Sequence, residues 1–356
     1  MSDSGNDDDT LMSSNFSTEF EPVAAASALF GAPSGTNGAR RYSSIDVAQA
    51  DDHGLLGIVD VGVGVGLVDL DADAAAMMAM LLRRASEEAV ALESRTVAAT
   101  IALSEVGVDS TVLKGVAVAH LDYPFPEMRH FGDVDLLVGG SDMETAVTAL
   151  EATGFARHYD EPYDGFDEHI GKGVAVEDAE GTVLDLHRTL ALGYFGTRLP
   201  VAELWERRDR FDVAGTSLRA LGRTARFVHA ALHMALSPTQ KLANGLDLCM
   251  IASRPSTIDA NEVIDVSRRW HCAAPVAHAI RSTADRFGDT WASTELIRWS
   301  LDYRPTAGER LALAAFDGPF SGSAARSLTA VAGLRSASLV RRATVGLIAP
   351  RHGERE

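Results

Sequence analysis

Lysine is almost missing from this chain. Lys114, Lys172 and Lys241 are the only three in 356 residues, and arginine supplies the rest of the basic charge. With so much alanine and aspartate, the composition fits a GC-rich genome or a salt-tolerant organism. General usage did not place these few lysines, which draws attention to Lys114. Cysteine is scarce too, with Cys249 and Cys272 alone. A disulfide framework uses more cysteines in a shorter chain, so two reduced, buried thiols in a cytoplasmic protein are expected. No apolar run approaches the roughly 20 residues of a membrane span. The nearest, Leu55 to Leu70, is broken by glycines and aspartates. The opening MSDSGNDDDT lacks the charged-then-apolar pattern of a signal peptide. Positive charge is in deficit, with a net charge of −18, and that argues against a nucleic-acid partner, which meets a basic face. A nucleotide substrate stays open, because bound metal ions can bring the positive charge that phosphates need.

What the chain does have is apolar material. Hydrophobic residues make up 46% and charged residues 23%, enough for a sizeable core, and the length suggests about two domains. Residues 1–52, rich in Ser, Asp, Asn, Gly and Ala, read as a disordered acidic tail. Residues 55–70 alternate apolar residues with glycine and give no firm element, only a weak hairpin or a loop. Residues 72–106 carry Met77, Leu81, Ala85, Ala89, Leu92 and Val97 at helical spacing, and Gly107 is placed to end that helix. Ser110 to Gly115 is a short β-prone run closed by glycine, 115–121 begins a helix, and Tyr123-Pro-Phe-Pro126 is a loop. Gly132 to Val138 is a strand by composition. Ser141-Asp-Met-Glu144 matches a capping box for a helix through Leu150. A strand over 155–159 follows, then strands over 173–178 and 182–187 around a Glu180-Gly181 hairpin turn. From about 198 onward helical segments are expected at 200–210, 223–236, 241–253, 260–270, 273–287, 291–300 and 307–316. The fold class is therefore α+β. A small mixed-sheet domain over 72–197 precedes an all-α domain over 198–320, and 321–356 is a flexible end.

Chemistry concentrates at three carboxylates. Asp133 and Asp135 sit two apart on a strand, so both face one side, while Val134 and Leu136 face a core. Two carboxylates this close repel unless something neutralises them. Mg²⁺ does so, since it prefers oxygen ligands and often combines one or two carboxylates with substrate phosphates. Taken alone, an Asp-x-Asp at a strand end is ordinary. About fifty residues on, however, Val183-Leu-Asp-Leu-His187 again sets a carboxylate inside an apolar strand. Asp185 and His187 share one face there, and burying Asp185 without a partner is costly. A metal centre shared by Asp133, Asp135 and Asp185 resolves that cost.

The ordered set Val112-Leu-Lys-Gly115, Arg129, Gly132-Asp-Val-Asp-Leu-Leu-Val138 and Asp185-Leu-His187 resembles the uncharacterised nucleotidyltransferase family of the polymerase-β-like superfamily, over about residues 75–300. The resemblance implies transfer of a nucleoside monophosphate from a nucleoside triphosphate, ATP in the first instance, with loss of pyrophosphate. It implies Mg²⁺ or Mn²⁺ as cofactor. Asp133 and Asp135 would bind the metals that hold the triphosphate. Asp185 would hold the second metal and favour deprotonation of an acceptor hydroxyl. In the wider superfamily a Gly-Ser pair cradles phosphates; here Lys114-Gly115 stands at that place, with Gly115 for close backbone approach and Lys114 for charge. Arg129 reads as a phosphate clamp or an ion pair steadying the carboxylates, against a surface arginine. His187 would orient Asp185 or contact the acceptor, against a structural histidine.

Weaker signals surround this set. His229 and His233 have the i, i+4 spacing of zinc ligands, but helix-core or domain-interface histidines are the plainer reading. His169, Lys172 and Gly173 lie in a loop that reaches towards the site. Gly62-Val-Gly-Val-Gly66 lacks the strand–turn–helix context of a dinucleotide loop. Asp247 is expected to cap a helix or pair within the helical domain. The acceptor stays open between a small molecule, a peptide and a protein side chain. Competing readings are a catalytically silent binding module with a transferase fold and a toxin–antitoxin component, the latter usually shorter than this chain.

Overall fold

The computed structural model describes residues 40–161, 165–237, 241–253 and 255–316. The parts of the expected tail before residue 40 and of the expected flexible end beyond 316 lie outside the described residues. The chain mixes a seven-stranded sheet with thirteen α-helices among the described residues.

Residues 40–52, at the end of the stretch 1–52 that reads as a disordered tail, form a strand and a helix. Strand β1 (Arg40–Tyr42) leads into helix α1 (Ser44–Asp52). Ser43 caps α1 through a capping box with Asp46, satisfying two of the helix's orphan N–H groups. The stretch 55–70 is helix α2 (Leu56–Gly64) followed by β2 (Val68–Leu70), which pairs in parallel with β1. Glycine in α2 serves a contact. A Cβ on Gly57 would stand 2.5 Å from the Met128 carbonyl oxygen, so only glycine lets α2 lie against the turn that carries Arg129. Long helix α3 (Ala72–Glu105) is capped by Asp71, whose carboxylate accepts from Ala74 N at 2.8 Å. It ends as expected at Gly107, whose φ of +81° is the left-handed backbone that favours glycine.

Strand β3 (Ser110–Leu113), helix α4 (Lys114–Asp122) and strand β4 (Val134–Val138) come next, then helix α5 (Met143–Glu151) and strand β5 (Ala156–Arg157). The capping box expected at Ser141 does not form. Gly140–Asp142 is a 3-10 turn, and α5 starts at Met143 without a side-chain cap. Short helix α6 (Phe166–His169), strands β6 (Gly173–Glu177) and β7 (Val183–His187) and helix α7 (Gly193–Arg198) follow. The β6–β7 pair is antiparallel around the expected turn.

A second correction concerns residues beyond 198. The expected helix at 200–210 is a 3-10 turn (Val201–Trp205) followed by β8 (Arg208–Val213), which pairs antiparallel with β9 (Thr216–Leu221). Phe211, Val213, Leu218 and Ala220 are buried at period two, the signature of a half-buried strand pair. Ala214 and Gly215 both have positive φ, as a tight primed hairpin turn requires. The sheet order is β5-β6-β7-β4-β3-β9-β8, so these late strands complete one edge. After them every described element is a helix: α8 (Arg223–Leu236), α9 (Leu242–Ser253), α10 (Ala260–Arg269), α11 (Ala273–Phe287), α12 (Thr294–Asp302) and α13 (Ala307–Ala314).

Strand alternation splits the core in two. Val112, Val134, Leu136, Leu184 and Leu186 pack with α3 and α5 on one face. Leu113 and Leu137 join the core of the helical part on the other. Polar residues of β4 and β7 that share a face with Leu137 therefore look towards the helices. Among the described residues no helix is long and apolar enough to cross a membrane.

Candidate active site

Register brings the acids together. β4 and β7 are parallel neighbours, with Asp135 opposite Asp185 and Leu137 opposite His187. Residues opposite each other in a ladder share a face, and so do residues two apart on one strand. Asp135, Asp185 and His187 thus form one patch, and one ligand atom from each lies within 4.8 Å of the others. Asp133 immediately precedes β4 and is half-buried. It is outside that three-residue set but close enough for its charge to act on Asp135, Lys114 and Arg129.

Asp135 is the centre. Its side chain is fully buried, and Oδ1 takes Lys114 Nζ at 2.8 Å and His187 Nε2 at 2.6 Å. Burial alone would raise its pKa, but the Lys114 ammonium and the His187 contact hold it well below the usual carboxylate range. Its other oxygen, Oδ2, is buried without a hydrogen-bond partner among the described residues. Leaving a buried carboxylate oxygen unpaired costs at least about 1–3 kcal/mol. Asp133 and Asp185 are both raised, first by burial and then by repulsion from Asp135.

The cations are unevenly bound. Lys114 opens α4 with φ of +42°, a left-handed backbone that is rare outside glycine and tends to be kept at functional sites. Despite burial, Asp135 and Asp133 raise its pKa. Lys172 precedes Gly173, which pairs with His187. Its carbonyl accepts from Arg188 N at 2.8 Å, tying the segment to the end of β7. Its ammonium feels Lys114 and all three aspartates, and burial followed by repulsion from Lys114 lowers its pKa. No ion pair within 4.0 Å engages it among the described residues. His187 is pushed down to about 4, by burial and then by Lys172. Its imidazole is therefore neutral near pH 7.

The other expected residues take different places. Gly115 lies under Phe131, where a Cβ would come 3.2 Å from that side chain. Arg129 gives Nε and Nη2 to Asp247 at 2.8 and 2.7 Å, and Tyr123 donates to the same carboxylate at 2.9 Å. Its fork thus meets the helical part, and only Nη1 is left, buried without a partner. Asp247, expected to serve its own domain, instead ties α9 to the segment four residues before Asp133. His169 lies beside Glu168 at 3.6 Å. Gly173 permits the β6–β7 pairing, since a Cβ there would strike the Leu186 carbonyl. Both cysteines are free and buried.

Sequence reasoning gave Lys172, His229 and His233 little weight. The signal for Lys172 was the rarity of lysine. For the histidines it was a polar stripe, Arg226, His229 and His233, at spacings of three and four on a helix that is otherwise largely apolar. In the structure that stripe lines a small cavity with Lys114.

Chemically, this is a recessed patch of oxygen donors with one imidazole and two ammonium groups at its rim. Such a donor set suits a divalent cation and phosphate oxygens together. A family model described as "Uncharacterised nucleotidyltransferase" matches residues 47–288. Among solved structures, the chain is similar to an antigenic nucleotidyltransferase-like protein from Paracoccidioides brasiliensis, at 12% identity and a TM-score of 0.36, covering 59% of this chain and 94% of that one. No curated protein matches the chain.

Proposed function

Since the chain belongs to the uncharacterised nucleotidyltransferase family, we propose that it is a metal-dependent enzyme moving a nucleoside monophosphate from a nucleoside triphosphate, ATP in the first instance, to an acceptor hydroxyl. The acceptor is a small molecule, a peptide or a protein side chain. The observation that carries this reading is the meeting of Asp135, Asp185 and His187 within ligand distance of one another.

The residues fit a divalent cation. Asp135 Oδ2 is buried and unpartnered, and the Asp185 side chain makes no hydrogen bond or ion pair among the described residues. Asp135 and Asp185, with Asp133 at the mouth of β4, would hold Mg²⁺ or Mn²⁺, and His187 would either ligate or orient Asp135. A cation bound there neutralises the carboxylates and the charge that grows on the triphosphate.

The chain's own groups supply the rest. Lys114 and Lys172 bind phosphate oxygens as point charges, and Lys172 is the readier of the two because no carboxylate holds it within 4.0 Å. Gly115 and Arg129 support this cradle, one under Phe131 and the other against Asp247. The acceptor oxygen bonds to the α-phosphorus as the bond from that phosphorus to the bridging oxygen breaks, and pyrophosphate leaves with that electron pair. The acceptor's proton passes to a carboxylate oxygen of Asp185.

A second reading, a catalytically silent module with this fold, draws on one observation. The Lys114 ammonium already sits on Asp135 Oδ1, where it could neutralise the site by itself. Incubation with Mg²⁺ and each labelled nucleoside triphosphate separates the two. The enzyme releases pyrophosphate or labels itself or an acceptor, and Asp135→Asn abolishes this. A silent module does neither.

A further inference from the structure

Between the sheet and α8 lies a partly open recess of about 10 Å³, lined by Lys114, Arg226, His229, His233 and Asp247 together with apolar residues of β3, α4, β9 and α8. That is room for about one water molecule, which needs two to four polar partners to be held.

Most of the polar atoms there are already committed. Arg226 donates to both oxygens of Asp122, at 2.9 and 3.0 Å, and also to Asp209 and the Leu221 carbonyl. Asp247 accepts from Tyr123 and twice from Arg129. Three groups keep capacity, and one of them, His233, is only partly buried and can be served by solvent. Lys114 has three N–H donors, and the structure shows one of them on Asp135. His229 is 2% exposed, and its Nε2 is buried with no hydrogen-bond partner among the described residues.

We propose that His229 is a positioning residue for Lys114, acting through a single water held in this cavity between the ammonium and His229 Nε2. The directions of the bonds follow from the inventory of donors. An ammonium only donates, so the water accepts from Lys114 and gives one of its own O–H groups to His229 Nε2. His229 is then a neutral imidazole with its proton on Nδ1. Burial, and then the charge of Lys114, hold the ring well below its ordinary pKa, consistent with that state. Lys114 carries a left-handed backbone at the mouth of α4, and a second tie on its ammonium keeps that strained residue turned to Asp135.

The scarcity of lysine gives the test. Brief acylation of the whole protein with acetic anhydride, without metal or nucleotide, can be read at Lys114, Lys172 and Lys241 separately by peptide mass spectrometry. His229→Leu keeps the bulk and removes the acceptor. It should raise the Lys114 rate relative to Lys241 roughly tenfold, the factor that one lost hydrogen bond to a charged group carries. His229→Gln, which can still accept, should restore most of the protection. Equal Lys114 rates in wild type, Leu and Gln variants overturn the proposal, as does an equal rise in both variants. Should the Leu variant not fold, ¹⁵N-histidine spectra of the unsubstituted chain decide: a proton on Nδ1 supports the tie and a proton on Nε2 overturns it. Because no nucleotide is present, this result stands apart from the success or failure of the transfer assay.

Discussion

Asp135 and Asp185 stand directly opposite each other on parallel strands β4 and β7, on a sheet face turned to the helical part of the chain. Parallel pairing puts their carboxylates on the same side without any loop to position them, so the rigidity of the sheet becomes the rigidity of the site. Replacing either acid by Asn keeps the shape and removes the charge. Asp185→Asn should lower transfer by at least about 10²-fold, the scale of losing one preorganised electrostatic group, and its melting temperature should stay close to wild type because Asp185 has no ion pair to lose. Steady-state rates beside a thermal melt check both halves.

Lys114 offers a sharper stability test. Lys114→Ala strips the buried Asp135 carboxylate of its ammonium partner, and breaking such a pair costs about 3–5 kcal/mol. Lys114→Gly loses the same charge but relieves the left-handed backbone at φ +42°. The glycine variant should therefore be the more stable of the two by about 1 kcal/mol, as read by denaturant unfolding.

Stability should also depend on pH in a defined window. His187 is pushed down to about 4 and His233 to about 3, each by burial first, against about 6.5 in an unfolded chain. Between those values the unfolded state binds protons that the folded state refuses, so folding stability falls as pH falls below about 6.5 and the loss from His187 is complete near pH 4. For His187 alone the change is on the order of 3 kcal/mol. Urea midpoints measured from pH 8 to pH 4 should fall through this range, and His187→Gln should flatten part of the slope.

The Arg129–Asp247 pair should behave as one unit. Arg129→Ala and Asp247→Ala each leave a buried charge uncompensated and cost about 3–5 kcal/mol. The double variant should cost less than their sum by up to about 3 kcal/mol. Strict additivity in unfolding free energies would show that the pair does not tie α9 to the segment before Asp133.

Much of this was legible in the sequence, for reasons that differ by element. α3 announced itself by apolar spacing and a glycine stop, and β4 and β7 by a carboxylate set among apolar neighbours. What stayed hidden depended on contacts distant in sequence. β1 and β2 are three residues each and exist by pairing with one another, across two helices that close the loop between them. The alternation of Phe211, Val213, Leu218 and Ala220 was present but lay in a stretch whose surroundings read as helical. At the site, composition marked Lys114 and Lys172 by their rarity, yet nothing local to Arg129 shows that its partner is Asp247. Nor does the spacing of His229 and His233 reveal that they face Lys114.

The account stands most directly on one binding measurement. Mn²⁺ titrated into the full chain with a non-hydrolysable nucleoside triphosphate present, and followed by electron paramagnetic resonance, should report bound metal in the wild type. That signal should be lost or weakened at least about tenfold in both Asp135→Asn and Asp185→Asn, each folded by circular dichroism. Equal Mn²⁺ binding in all three proteins would contradict a metal centre built on these two strands.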